Sequence, residues 1–281
     1  MQIEGNTWSR IIIYSILLLL VVLWLFPLAA IVSTVTKAPS QFDQLFFWAV
    51  PDFVDIPSNL FTNFFTAWTR AGLGSNFVNS LVYAIAGGVG SAFVASLAGF
   101  ALVHLKIRGS QSWFMGIFSG NLFPFQMFLI PLYIATSKLG IYDTRLGMAL
   151  VYIGICTPFA LLVYRNYALT IPQEIMEAAR IDGCSDLEIY WRIFMPLTKA
   201  AFVVVFIFQF RWTWNDILFG MVLTQDVRPV MTALAKLSGL RAGVPTPVIA
   251  AGAVVASAPT VIVLLGLQRY FIKGLSLQTG K

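Results

Sequence analysis

Six long apolar runs set the strongest constraint on how this chain can fold. They cover residues 11–33, 77–103, 113–135, 146–168, 199–223 and 248–271. A helix needs about 20 mostly apolar residues to cross a bilayer, and each run reaches that length. Charged residues make up only 11% of the chain, whereas a soluble domain has about 25%, so they could not cover a water-exposed surface. The sequence predicts an all-α polytopic membrane protein with six transmembrane helices in a single domain, residues 1–281.

The cations lie between these apolar runs. A net charge of +6 also fits a nucleic-acid binder, but such a protein concentrates its cations on one soluble face. Lys and Arg accumulate in cytoplasmic segments of membrane proteins. With the N-terminus inside, the inner segments, which are shorter in total than the outer ones, contain Arg10, Lys106, Arg108, Arg165, Arg180, Arg192, Lys199, Arg269, Lys273 and Lys281. We therefore predict that both termini are cytoplasmic, with an outer segment 34–76 of short helices, and no nucleic-acid partner.

Two further features of the second run have structural interpretations. Small residues at Gly87, Gly88 and Gly90 allow helix backbones to approach closely in lipid, so we interpret them as packing positions. His104 ends the run beside Lys106 and is interpreted as an interfacial residue, since one His without Cys or carboxylate neighbours is no metal site. No catalytic dyad is found elsewhere. We expect neither a metal site nor an enzymatic activity in this chain.

The polar segment 172–196, between the fourth and fifth runs, has helix signals of its own. Pro172 suits a helix start, Gly183 suits a helix end, and Ser185 with Glu188 has the spacing of a capping box. These signals predict two short helices at the inner membrane surface. Their composition fits a helix that docks into a groove of another protein. It fits equally an amphipathic connector with no partner.

Within this segment, the sequence resembles the EAA loop of ABC importer permeases. The matching residues are Glu177, Ala178, Ala179, Asp182, Gly183, Ile193 and Pro196, with Met195 in place of the family's usual Leu. Segments 139–147, 214–218 and 268–275 are similar to maltose-type carbohydrate permeases, and the chain is most similar to the six-span G-type subunit.

This resemblance implies a type I ABC importer permease fold in a bacterial inner membrane. It implies that the loop contains a coupling helix, residues 172–183, which inserts into a cytoplasmic ATPase. It also implies that the matching residues above couple this chain to the ATPase. The implied partners are a second, homologous permease subunit, two ATPase subunits and an extracytoplasmic solute-binding protein. ATP and Mg would bind to the ATPases, with no cofactor on this chain.

Polar residues crowd the fifth run. Arg211, Trp212, Trp214, Asn215 and Asp216 follow each other closely, and helical spacing places most of them on one arc. Paired donors and acceptors beside an indole face suit a sugar, which predicts a substrate pathway. The alternative is an Arg211–Asp216 pair or an interhelical polar network, with the tryptophans as anchors. Asn121 and Gln126, in the third run, are further candidates for lining the pathway.

The function predicted from the residues and the resemblance is ATP-driven import of a sugar or oligosaccharide by alternating access. Other interpretations remain open. An ABC permease for a phosphorylated polyol such as glycerol phosphate would use Arg211 to meet the anion. An ion-driven secondary transporter would require inverted repeats and embedded acidic residues, and Asp216 is the only such acid. A membrane scaffold or an enzyme subunit with no cargo is the fourth possibility.

Overall fold

The computed structural model describes residues 7–42, 49–70, 72–105, 107–239 and 243–276, and its regular elements in these ranges are all helical. The α-helices are α1 Thr7–Val35, α2 Pro39–Phe42, α3 Ile56–Phe65, α4 Leu73–His104, α5 Ser110–Phe118, α6 Leu129–Lys138, α7 Arg145–Ala168, α8 Gln173–Ile181, α9 Asp186–Ile189, α10 Met195–Leu197, α11 Lys199–Trp214, α12 Leu218–Leu223, α13 Val230–Leu237 and α14 Thr246–Ser276. They belong to two compact units, one with the described residues within 1–73 and 236–255, the other with those within 74–235 and 256–276.

Every predicted span coincides with helical structure. Unbroken helices long and apolar enough to cross a membrane are found at Ile11–Val35, Leu73–His104, Arg145–Ala168 and Thr246–Leu267. The third and fifth spans belong instead to pairs of helices bent by 96° and 72°. The described chain therefore has four spans, or six if each bent pair crosses once, which agrees with the all-α polytopic prediction.

The third span is broken more sharply than the sequence indicates. The sequence predicts one transmembrane helix over residues 113–135, but Ser110–Asn121 and Phe125–Lys138 are separate segments. Pro124 has an extended ψ of 131° and precedes a short 3-10 helix, Phe125–Phe128. Pro131 lies in the first turn of α6, where a missing N–H breaks no helical hydrogen bond. Only Pro124 therefore lies at the break.

The fifth span ends earlier than predicted. We expected a helix from 199 to 223, but α11 stops at Trp214 and a new helix starts at Leu218. The Asp216 carboxylate accepts hydrogen bonds from the backbone N–H groups of Leu218, Phe219 and Gly220. Because these groups have no partner within a helix that begins there, Asp216 stabilises the new helix start instead of continuing the old helix.

In the first unit, α3 closes the end of α1. Asn63 Nδ2 donates to the carbonyl oxygens of Val35 and Lys37 at 2.9 Å each, and Asn59 Nδ2 donates to that of Thr36 at 2.9 Å. The last carbonyls of a helix lack intrahelical partners, so α3 caps α1. The predicted short helices of the outer segment are thus present in its described part, whereas residues 43–48 and 71 lie outside the described residues.

In the second unit, α4, α7 and α11 pack closely at the glycines of α4. A Cβ at Gly87 would lie 2.8 Å from Thr213 Oγ1, and one at Gly88 would lie 2.9 Å from the Phe206 ring. At Gly90 the nearest atoms belong to Ile153 of α7, at 2.6 Å. These glycines are therefore required for helix contact, which confirms their interpretation as packing positions.

Candidate coupling loop and translocation cavity

The first helix of the polar loop, α8, has one buried face and one exposed face. Met176 and Ala179 are buried in a core cluster that includes Ile189, Tyr190 and Phe194. Ile181, the last residue of α8, is 87% exposed although it is apolar. The buried face fixes α8 to the helical body, and the other face remains available to a partner.

The end of α8 has the geometry predicted for a glycine stop. Gly183 has a φ of +86°, a conformation that other residues adopt at a cost. The Gly183 N–H donates to the Arg180 carbonyl oxygen at 3.1 Å, and the Cys184 N–H donates to that of Ala179 at 3.0 Å. This arrangement satisfies the last carbonyls of the helix and turns the chain towards α9.

The predicted capping box opens α9. The Glu188 N–H donates to Ser185 Oγ at 3.3 Å, and the Ser185 N–H donates to Glu188 Oε2 at 3.0 Å. The Ser185 backbone and hydroxyl donors, with the nearby Arg192, hold the pKa of Glu188 below its usual range. Arg180 pairs with Asp186 at 3.1 Å. The two short helices are thus joined by polar contacts at their turn.

The structure divides the residues that match the EAA loop between solvent and the protein interior. Ala179 is buried and Ile193 is half-buried, whereas Glu177, Ala178, Asp182, Gly183 and Pro196 are exposed. Leu187, an apolar residue that the motif does not include, is 64% exposed at the turn. Apart from Pro196, which lies in α10, the exposed motif residues are on α8 and just after it, together with the apolar side chains of Ile181 and Leu187.

At the end of α11, Trp214 has a structural position. Its side chain is fully buried, and its Nε1 donates to the Ala256 carbonyl oxygen of α14 at 2.8 Å. The ring stacks on Phe210 at 5.8 Å and meets the edge of Phe77 at 5.1 Å. The structure thus places Trp214 between helices, which agrees with the alternative of tryptophans as anchors and not with a pathway-lining position.

Asp216 belongs to a network between helices. Tyr152 of α7 donates its hydroxyl hydrogen to Asp216 Oδ2 at 2.9 Å, and the remaining contacts of this carboxylate include the backbone donors of α12. Both Tyr152 and Asp216 are buried. The polar-network alternative of the sequence analysis therefore describes Asp216, although its partner is Tyr152 and not Arg211.

Two cavities lie beside this helix end. The larger, of about 510 Å³, is lined by Phe125, Arg211, Trp212, Asn215, Asp216, Ile217, Leu218 and Phe219. The smaller, of about 210 Å³, shares Phe125, Arg211 and Trp212 and adds Asn121 and Gln209. Arg211 and Asn215 are exposed. Four of the five predicted pathway residues of the fifth run thus line a cavity of the size typical for small-ligand sites.

Two residues of the broken third span behave differently from each other. Asn121 lines the smaller cavity, whereas Gln126 is exposed and lines neither of the two. Phe125 lines both cavities and packs against Trp212 at 5.2 Å between ring centroids. Sequence reasoning missed Phe125 because its position depends on the chain break at Pro124.

Together, these features define an integral membrane protein with a polar cavity at a broken span and an exposed helical loop. Residues 6–277 match the model of the binding-protein-dependent transport system inner membrane component family. The chain belongs to this family, whose members are the permease subunits of ABC importers.

Individual relatives agree with this assignment. The chain is 34% identical to an alpha-glucoside transport system permease protein of Rhizobium meliloti over 87% of this chain and 65% of that protein. It is 29% identical to an sn-glycerol-3-phosphate transport system permease protein of Yersinia pestis over 98% of both chains. Among solved structures, it matches a chain of a bacterial ABC transporter involved in the import of the acidic polysaccharide alginate. That match has a TM-score of 0.79 and 26% identity, and covers 95% of this chain and 99% of the other.

Proposed function

We propose that this chain, as one permease domain, forms half of the translocation pathway of an ATP-driven importer for a sugar or oligosaccharide. The single observation that carries this proposal is the cavity at the end of α11, where Arg211, Trp212 and Asn215 line the wall. Guanidinium and amide groups match sugar hydroxyls, and an indole face covers the apolar face of a sugar ring. The alpha-glucoside and alginate systems of its relatives support a carbohydrate cargo.

The remaining components of the transporter are expected on other chains. A second permease subunit completes the pathway, two ATPase subunits bind ATP and Mg, and an extracytoplasmic binding protein delivers the cargo. Both termini then lie in the cytoplasm. The exposed face of α8, with Glu177, Ala178 and the apolar side chain of Ile181, is the surface that docks on an ATPase. We call α8 the coupling helix from here on.

Transport proceeds by alternating access. Closure of the ATPase pair on ATP moves the docked coupling helix, which rotates the permease halves and opens the cavity towards the binding protein. Hydrolysis of ATP then restores the inward-facing state. The coupling helix suits this role because Met176 and Ala179 bury one of its faces in the helical body. A rigid packed element transmits movement, whereas a loose loop absorbs it.

Substitutions of the exposed Asn215 and the buried Asp216 are expected to distinguish a loss of transport from a loss of assembly. Asn215→Ala is expected to lower sugar uptake while the complex still assembles, because Asn215 lines the cavity and its Nδ2 donates to the local Arg211 carbonyl oxygen at 2.8 Å. Asp216→Ala is expected to reduce assembly as well, because it removes the partner of Tyr152 and the acceptor for three backbone N–H groups. The measurements are yield of the purified complex and uptake into proteoliposomes. Equal yields for the two variants would contradict this assignment.

Arg211 distinguishes a neutral sugar from a phosphorylated polyol, the cargo class of the glycerol-phosphate relative. For a neutral sugar, Arg211→Gln is expected to lower uptake by about tenfold at most, because an amide still donates hydrogen bonds. For a phosphate group, the loss of charge removes a bidentate, charge-assisted contact and is expected to abolish uptake. Arg211→Lys is the matched control, since it retains the charge without the planar fork. ATP-dependent uptake of each cargo class is measured in proteoliposomes that contain the full complex.

An ion-driven mechanism is disfavoured by the position of Asp216. It is the one acidic residue that the sequence offers for ion coupling in the fifth span, and its carboxylate is held by Tyr152 and the start of α12. Uptake driven by a proton or sodium gradient without ATP would contradict the proposed function.

A further inference from the structure

One residue of α4 contacts both ends of the coupling helix. His104, the last residue of α4, has its Nδ1 2.9 Å from Oε1 of Gln173, the first residue of α8. Arg180, near the last residue of α8, donates from Nη2 to the His104 carbonyl oxygen at 3.0 Å. Gln173 and Arg180 are seven positions apart in the helix, a rise of about 10 Å. A helix held at two points this far apart cannot tilt without moving the end of α4.

His104 is also enclosed by aromatic rings. Its side chain is 1% exposed, and its ring lies 5.9 Å from that of Phe100 in α4 and 5.8 Å from that of Phe194. Phe194 ends the π-helical turn Tyr190–Phe194, which follows α9. The histidine thus lies where α4, the coupling helix and the end of the polar loop meet. The two rings restrict movement of its side chain relative to α4.

The two side chains share one hydrogen bond. Gln173 Oε1 can only accept, so His104 Nδ1 is the donor. Among the residues that the structure describes, His104 Nε2 and Gln173 Nε2 are both buried without a hydrogen-bond partner. Each such group destabilises the arrangement, so packing stability alone does not account for two polar side chains at this position.

A groove adjoins the pair. It has a volume of about 460 Å³ and is lined by residues that include His104, Thr170, Pro172, Gln173 and Glu174. Gln173 is only half-buried, so substitutions of its side chain can be accommodated there without repacking the core.

We propose that His104 is a positioning residue which, with Gln173, transmits movement of the coupling helix to the transmembrane helix α4. This inference rests on the proposed function, in which α8 docks on the ATPase. It assigns the transmission to a specific side-chain hydrogen bond between α4 and α8, in addition to the apolar packing of Met176 and Ala179.

The test compares variants that retain either the hydrogen bond or the ring. His104→Phe retains the aromatic packing and removes the donor, whereas His104→Asn retains a donor and removes the ring. Gln173→Leu removes the acceptor, and Gln173→Glu retains it. Each variant is assembled in the complete transporter in proteoliposomes, and uptake per ATP hydrolysed is measured with saturating loaded binding protein. Gln111→Leu is the control, because Gln111 accepts a comparable bond from Arg165 at 2.7 Å without contacting the coupling helix.

We expect His104→Phe and Gln173→Leu each to lower uptake per ATP by about three- to tenfold, the range of one lost hydrogen bond. The Asn, Glu and control variants are expected to stay within about twofold of the unmodified protein by the same scale. The double variant His104→Phe/Gln173→Leu should be no worse than either single variant, because both remove the same contact.

Three results would overturn the inference: better coupling in His104→Phe than in His104→Asn, multiplicative losses in the double variant, or unchanged coupling in Gln173→Leu. If His104→Phe does not assemble, the two Gln173 variants decide, because that side chain is half-exposed.

Gly183→Arg in the same assay tests the docking itself. If Gly183→Arg uncouples transport but the variants of His104 and Gln173 do not, the proposed function stands and this inference fails. If Gly183→Arg is coupled normally, the proposed function fails.

Discussion

The Gly183→Arg variant is expected to enter the membrane and assemble, yet to hydrolyse ATP without comparable uptake. No atom lies within 4 Å of a Cβ built on Gly183, so the new side chain extends into solvent without disturbing the interior. Its positive φ of +86° adds roughly 1–2 kcal/mol of strain for any L-residue. A large cation beside the exposed residues of the coupling helix then obstructs docking, and the loss of a central interface contact of about 2 kcal/mol or more corresponds to a drop of over tenfold in coupled uptake.

Two control variants separate strain from bulk. Gly183→Ala introduces the same strain without the bulk. Gly109→Arg introduces both at another glycine with open space, at a φ of +74° before α5 and outside the coupling helix. The measurement is stimulation of ATP hydrolysis by the loaded binding protein, with uptake followed in parallel. Normal uptake in Gly183→Arg, or equal uncoupling in Gly109→Arg, would show that docking does not occur at this surface.

Local signals in the sequence predicted the helices and the polar loop well. The glycine stop at Gly183 and the capping box of Ser185 and Glu188 depend on residues at most four positions apart, so their chemistry can be recognised from spacing alone. Long apolar runs likewise specify membrane helices, because any such run must satisfy its own backbone in lipid. These features are present in the structure where the sequence placed them.

The candidate cavity could be predicted only in part, because contacts between residues far apart in the sequence determine which side chains line it. The partner of Asp216 is Tyr152, 64 positions away, and that of Trp214 is Ala256, 42 positions away. Helical spacing placed Arg211, Trp212, Asn215 and Asp216 on one arc, but it could not show that the helix stops at Trp214. Hydropathy averages over such a break, so the division between lining and packing residues became visible only in the fold.

The same limit applies to Asp143, which sequence reasoning assigned no role. Its carboxylate accepts hydrogen bonds from the backbone N–H groups of Gln225, Asp226 and Val227 at 2.8–3.2 Å. Asp143 itself has a φ of +53°, an uncommon conformation outside glycine that Asp tolerates better than most residues. It therefore fixes the connection between α12 and α13 to the turn before α7, a contact across more than 80 positions that no local pattern indicates.

Gly87→Leu is expected to lower both the stability of the protein and its transport activity, because this glycine lies where three helices meet. Its Cβ would be 2.8 Å from Thr213 Oγ1 of α11 and 3.3 Å from Tyr152 Cβ of α7, and both residues are buried. Neither can move into free space, so the added side chain costs about 1–3 kcal/mol by overpacking. Displacement of Tyr152 also weakens its hydrogen bond to Asp216 at the cavity wall.

Gly154→Leu is the matched control, since Gly154 is an exposed helical glycine with nothing within 4 Å. Thermal unfolding of the purified complex should show a lower midpoint for Gly87→Leu alone; equal midpoints for both variants would mean that close contact at Gly87 does not stabilise the helices around the cavity.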